Sequence, residues 1–200
     1  SPDMLTGNTY EYFQNDGKLY GLTEKVSDVV LYYNKDMFDA AGLEYPQADW
    51  TWDDLLTAAQ ALTKDGVYGF YAPVTYNELY KVVAQNGGAL FDEDGNPTID
   101  SAENVEALQW MLDKMLKYHI QPTSEEMSGK TPEDMFKNSE IAMEVTGSWM
   151  VTTFADAPFE WDIALEPGNT DQVHHVFADG IVASADTKNA EAAWKLIKFL

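Results

Sequence analysis

The chain has 200 residues, 45% hydrophobic and 13% aromatic, with 34 acidic against 12 basic side chains and a formal net charge of −22. That is enough apolar material for a buried core in one large domain or two small ones, while the charge repels phosphate backbones and anionic lipid, which excludes nucleic acid as a partner. The lack of cysteine excludes disulfides, thiolate catalysis and cysteine-type zinc sites, and no apolar run reaches membrane-spanning length.

No secretory leader opens the stretch, which starts Ser1-Pro2-Asp3. Polar, turn-rich sequence follows to about Asn15, with Gly7-Asn8 and Asn15-Asp16-Gly17 as breakers. Residues 18–22 leave that second turn as a strand. Residues 26–33 (VSDVVLYY) form another, apolar enough to be buried on both faces of a sheet covered by helices. A short helix over 34–41 stops at Gly42. Thr51 caps a helix over 52–64, with Asp53 and Asp54 in its first turn and Leu55, Ala59 and Leu62 as its apolar stripe.

Residues 67–71 read as a strand, 77–85 as a helix ending at Gly87-Gly88, and 89–99 as a hairpin turning at Asp94-Gly95-Asn96. Asp100 is expected to cap a long helix, with Glu103 completing a capping box. Its buried face should be Val105, Leu108, Leu112, Met115 and Leu116. Thr131-Pro132 starts a further helix. Residues 141–147 form an apolar strand ending on Gly147, and a helix over about 149–154 follows. Strands over 161–165 and 176–184 and an amphipathic helix over 190–200 complete the order. Mixed strands and helices of this kind point to an α/β fold.

The catalytic signal is weak. Asp92-Glu93-Asp94-Gly95-Asn96 has its glycine fourth where a calcium loop needs it sixth, so a solvated turn is expected. His174 and His175, adjacent on extended chain, point in opposite directions and make no metal site, leaving them at the surface or beside a ligand. Neither a phosphate loop nor a nucleophile elbow is present. The abundant carboxylates leave open a glycoside hydrolase with an acid/base pair. No metal, cofactor or catalytic residue is assigned.

What does accumulate near expected strand ends is aromatic and short polar side chains. Tyr76, Asn77 and Tyr80 open a helix after a strand, Ser27 and Asp28 start another strand, Trp149 follows Gly147, and Asp179 precedes Gly180. A sugar needs such groups, because its C–H faces stack on rings and its hydroxyls take hydrogen bonds. Each could equally be a core or core-edge residue, as buried tryptophans commonly are, which would leave an interaction module.

The order of motifs resembles the family 1 extracellular solute-binding proteins, the sugar-binding components of ABC importers that include maltose-binding protein. The resemblance rests on Gly17-Lys18-Leu19-Tyr20-Gly21-Leu22, the segment from Val29 through Tyr32-Tyr33-Asn34-Lys35-Asp36 to Phe38, and Thr51-Trp52-Asp53-Asp54-Leu55. Asn86-Gly87-Gly88, Phe91-Asp92-Glu93-Asp94-Gly95, the stretch 141–149 and the terminal stretch 192–200 continue it in the family's order. It implies a type II periplasmic-binding-protein fold of two α/β lobes with ligand between them, here in part. Residues 1–27 and 172–200 would be pieces of lobe one and 28–171 most of lobe two, an internal segment of a longer protein. Thr23 stands where relatives commonly have proline.

By the same resemblance, Trp149 after Gly147 matches the family's sugar-stacking tryptophan, and Tyr76 and Asn77 fall where relatives place ligand contacts. Ser27 and Asp28 match one crossover between lobes and Asp179 the returning one. The implied function is a monomeric, non-enzymatic receptor for a sugar or oligosaccharide. It would lie outside the cytoplasmic membrane, periplasmic or lipid-anchored, and deliver its ligand to ABC permease subunits.

Overall fold

Thirteen consecutive residues, Leu22–Asn34, form β3, the longest strand among the described residues, and every larger sheet pairing among them is made to it. The structure, a computed structural model, describes residues 9–200, so the turn expected at Gly7-Asn8 lies outside the described residues. Two compact units result, one combining residues up to Asp28 with Val176–Leu200, the other Val29–His175. β3 is shared, its first half in one unit and its second half in the other.

In the first unit, a 3-10 turn over Thr9–Phe13 leads into a small hairpin of β1 (Gln14–Asn15) and β2 (Lys18–Leu19). Asp16 and Gly17 turn it with φ of 49° and 71°, the left-handed geometry a two-residue hairpin loop requires. The first half of β3 pairs antiparallel with β6 (Val176–Ile181), in a register that sets Ser27 opposite Phe177 and Asp28 opposite Val176. Ser27 and Asp28 therefore lie inside a long strand rather than at its start. Helix α7 (Ala190–Phe199) ends the unit with Trp194 and Phe199 exposed.

In the second unit, the other half of β3 is central, flanked antiparallel by β4 (Met143–Gly147) and β5 (Trp161–Ala164). Outside β4 run residues 67–72, held by isolated parallel bridges at Tyr71–Glu144 and, just before the strand, at Tyr68–Ile141. The strand expected there is thus reduced to a bridged segment. At its middle, Gly69 passes so close to the carbonyl of Ala59 that no Cβ would fit. Helices α1 (Lys35–Ala41) and α2 (Trp52–Leu62) cover one face, burying Leu31, Phe38, Leu55, Ala59 and Val145. On the other face, α5 (Pro132–Lys137) and α6 (Val151–Phe154) bury Tyr32, Phe136 and Phe154. Burial from both sides is why the second half of β3, residues 29–33, is apolar; the expectation fails for the first half, where Val26 is 41% exposed and Asp28 is exposed. A third cluster joins α2 to α3 (Tyr76–Gln85) and α4 (Ala102–Leu116) through Trp52, Val82, Val83 and Met111.

Local start and stop signals are obeyed. Thr51 and Thr131 each accept the backbone N–H three residues on, as expected, and Gly42 ends α1 at φ 66°. Asn34, expected inside its helix, and Thr75 act as N-caps in the same way. The long helix is corrected twice. Ser101, not Asp100, is its N-cap, its hydroxyl taking the N–H of Asn104. Its buried face is Asn104, Ala107, Met111 and Lys114, while Val105, Leu108 and Leu116 are exposed. Two anchors fix that rotation: Asn104 donates to the carbonyls of Ala89 (2.7 Å) and Thr98 (2.8 Å), and Trp110 stacks on Trp52 at 5.0 Å and 8°. The hairpin expected over 89–99 is a loop closed by one bridge, Phe91 to Pro97.

Under α3, the buried Lys81 lies between two buried carboxylates, 2.8 Å from Glu78 and 2.6 Å from Glu166. Burial opposes its charge, but Glu166 and Glu78 together outweigh that and hold the ammonium above the ordinary lysine value. Removing one partner of such a group leaves charge buried without compensation. Lys81→Met should therefore cost about 3–5 kcal/mol in urea unfolding, far more than Lys130→Met at the partly exposed pair with Glu140. An equal cost at the two positions would show that the buried cluster adds nothing.

Candidate functional site

Residues 67–72 and β4 run parallel, so their carboxyl ends leave the sheet at one edge. From Tyr71 the chain reaches α3 through Thr75, whose hydroxyl takes the N–H of Glu78. Tyr76 and Asn77 thus sit at the exposed N-terminus of that helix. From β4 it enters a 3-10 turn over Ser148–Met150 that carries Trp149. Val29 pairs with Gly147 at the same edge, and its N–H is bonded to the carbonyl of His175 at 2.9 Å. The carboxyl edge of an α/β sheet is where such folds place ligands.

Trp149 is 52% exposed, which removes the reading of it as core. Its indole lies flat over Gly147, so a Cβ there would run into the ring. The glycine is needed for space and not for its backbone angle, which is an ordinary φ of −80°. Tyr32 donates its hydroxyl to the carbonyl of Gly147 at 3.2 Å, holding the strand end from below.

At α3, the imidazole of His175 donates from Nε2 to the carbonyl of Asn77 at 2.6 Å, an acceptor that fixes the tautomer, and lies nearly parallel to the ring of Tyr80. Of the residues singled out in the sequence, Trp149 and Gly147 are in contact, and Tyr76 and Asn77 share their sheet edge. Ser27, Asp28 and Asp179 belong to the β3–β6 ladder of the other unit, where Asp179 lies opposite Lys25 and both aspartates are exposed. Asp92 serves its own turn, its carboxylate accepting the N–H groups of Asp94 and Asn96.

Glu144, unremarked in the sequence, is almost wholly buried in β4, opposite Tyr32 and bridged to the Tyr71 segment. Its Oε2 has no hydrogen-bond partner among the described residues. Burial first, and the charge of Glu133 second, push its carboxyl up to about 8, and the same setting raises Tyr71. A lone carboxylate in an otherwise apolar strand was the available signal. His175 had a weaker one, its place beside a strand.

The bacterial extracellular solute-binding protein family profile matches residues 2–200. The chain belongs to that family. Its fold is, in part, the type II periplasmic-binding-protein fold. It is similar to the ABC substrate-binding protein Lmo0181 of Listeria monocytogenes, solved in complex with cycloalternan. That match has 48% identity and a TM-score of 0.95, covering 100% of this chain and 52% of that one. Maltose-bound T. maritima MalE3 shares the fold at 24% identity and a TM-score of 0.81, with 100% and 55% covered. The arabinooligosaccharide-binding protein of Halalkalibacterium halodurans is 34% identical over 120 residues, 59% of this chain and 27% of the relative. The chain thus spans about half of the solved relatives and a smaller share of this curated one.

Glu144 makes stability depend on pH. The unfolded chain ionises it near the ordinary value of 4.5, whereas the folded chain keeps it protonated up to about 8. Between those values the folded state holds the extra proton, so this contribution falls as pH rises through the window. Glu144→Gln should flatten the decline, and at about pH 8 it should exceed the parent by about 1–3 kcal/mol in urea unfolding. Parallel curves for the two proteins would refute this.

Proposed function

We propose that the chain is part of an extracytoplasmic, non-enzymatic receptor that binds an oligosaccharide and delivers it to an ABC importer. The observation that carries the reading is the exposed Trp149 indole, seated on Gly147 at the carboxyl edge of the sheet. A flat apolar face held in place there suits the C–H side of a pyranose, and a 48%-identical relative was solved with cycloalternan. Tyr76 and Asn77 would supply a second ring and hydrogen bonds. Ser27, Asp28 and Asp179 are proposed as contacts from the other lobe. The Val29–His175 unit is assigned to lobe two and the remainder to pieces of lobe one.

Sugar would favour a closed state because only that state contacts it from both lobes, and the closed monomer would dock on the permease from the periplasm or from a lipid anchor. No chemistry on the sugar is proposed. Two buried carboxylates, Glu78 and Glu166, are tied to Lys81 and serve the fold.

A thermal-shift screen of the full chain against arabino-, galacto- and maltooligosaccharides and cycloalternan tests this. One class, at about a hundred times its Kd, should raise the midpoint by about 5–10 °C. Trp149→Ala should abolish the rise while leaving the unliganded midpoint nearly unchanged. Shifts from peptides or polyamines with none from saccharides would overturn the substrate class. Gly147→Ala, which displaces the indole without straining the backbone, should weaken binding as Trp149→Ala does. It should also change the tryptophan fluorescence, a change lost in a Trp149→Phe background. Unaltered affinity would show that the indole's seat is irrelevant.

A further inference from the structure

The exposed face of α3 does not end at Tyr76. Tyr80 lies about one turn further along the same face, four residues or about 6 Å on, and is 52% exposed. Beyond it opens a cleft of about 200 Å³ lined by Tyr80, Val83, Ala84, Gly88, Leu90 and Phe91, with Phe91 57% exposed on its wall. Tyr76 and Tyr80 thus share one face of α3, and Tyr80 also lines the cleft with Phe91, so the three lie in sequence away from the helix N-terminus.

The cleft is preformed. His175 holds the Tyr80 ring, with centroids 6.2 Å apart and planes 21° from parallel, and is itself bonded to the carbonyl of Asn77. Phe91 is fixed by its bridge to Pro97 and by the turn that Asp92 closes. Asn104 and Thr98 both donate to the carbonyl of Ala89. At the floor, a Cβ on Gly88 would meet Asn104 and Val83, so no side chain can fill the space from there. Two ring systems around a small apolar hollow fit the C–H face of a sugar ring. The hollow has room for one pyranose but not for a helix or strand. No basic side chain lines it, and the acidic turn residues beside it disfavour an anion.

We infer that the Tyr80–Phe91 cleft is an accessory carbohydrate subsite, holding a further unit of an oligosaccharide whose first units lie against Trp149 and Tyr76. This rests on the receptor reading and deepens it: the ligand is longer than a disaccharide, and affinity grows with chain length.

The test is calorimetric titration of the full chain with gluco-, galacto- and arabino-oligosaccharides from disaccharide to hexasaccharide. In the class that binds, affinity should rise with length. Phe91→Ala should weaken the longest members by about tenfold, the worth of one aromatic contact, and leave the disaccharide unchanged. Tyr80→Ala should lose affinity for the longer members by at least as much. Losses equal at all lengths, or none, overturn the subsite while leaving the receptor reading intact. Unchanged sugar affinity with loss of receptor-stimulated ATP hydrolysis by the importer would make the cleft a protein-docking surface and overturn it too. Binding of no saccharide by the unsubstituted chain would overturn the receptor reading and this subsite together.

Discussion

The pairing of Val29 with Gly147 is the constraint on which the rest of the larger unit depends. It begins a register of five antiparallel pairs that ends at Tyr33 with Met143. Side chains alternate along both strands, so a slip of one residue would exchange their two faces. Leu31 and Val145 would then leave the cluster under α1 and α2, and Glu144 would turn into it. The same register decides where β4 stops and so where Trp149 is presented. Tyr32 reinforces that end, placing its hydroxyl on the Gly147 carbonyl while its ring packs on Phe154 and Trp161.

A second frame, built from polar groups, holds the helix beside that edge. Lys81 is clasped by Glu78 and Glu166, and Gln85 bonds to Trp52 through its amide oxygen and to the Val173 carbonyl through its amide nitrogen. The main-chain carbonyl of Gln85 takes the N–H groups of Asn169, Thr170 and Asp171. These contacts tie α3 to residues 166–175, and His175 closes the frame at Asn77. Buried groups of this kind stabilise only as a complete set. Their effect here is positional: the buried face of α3 is locked, so its opposite face presents Tyr76, Asn77 and Tyr80 in a fixed arrangement.

The helix ends were legible because a cap is a local event: a threonine hydroxyl three residues from an N–H needs nothing distant. The apolar second half of β3 was legible for a similar reason, since burial on both faces leaves a compositional trace. The face of α4 was not. Periodicity offered Val105, Leu108 and Leu116, whereas the fold turned inward Asn104, whose amide finds two carbonyls, and Lys114, whose ammonium lies over the rings of Phe70 and Trp110. Burial lowers that lysine to about 8. No hydrophobic pattern anticipates a polar residue buried for the sake of distant partners.

Residue order alone therefore determined the α/β class, the caps of α2 and α5, the buried second half of β3 and the place of Gly147 and Trp149 at one strand end. These depend on neighbours in sequence. Tertiary structure alone decided that Trp149 is exposed and rests on Gly147, that Tyr71 and Glu144 are joined across a bridge, and that His175 orders Tyr80 and Asn77 from nearly a hundred residues away. It also decided that Glu144 stays protonated near neutrality. Each of these requires two segments to meet, and the free energy of that meeting resides in packing and desolvation rather than in either segment.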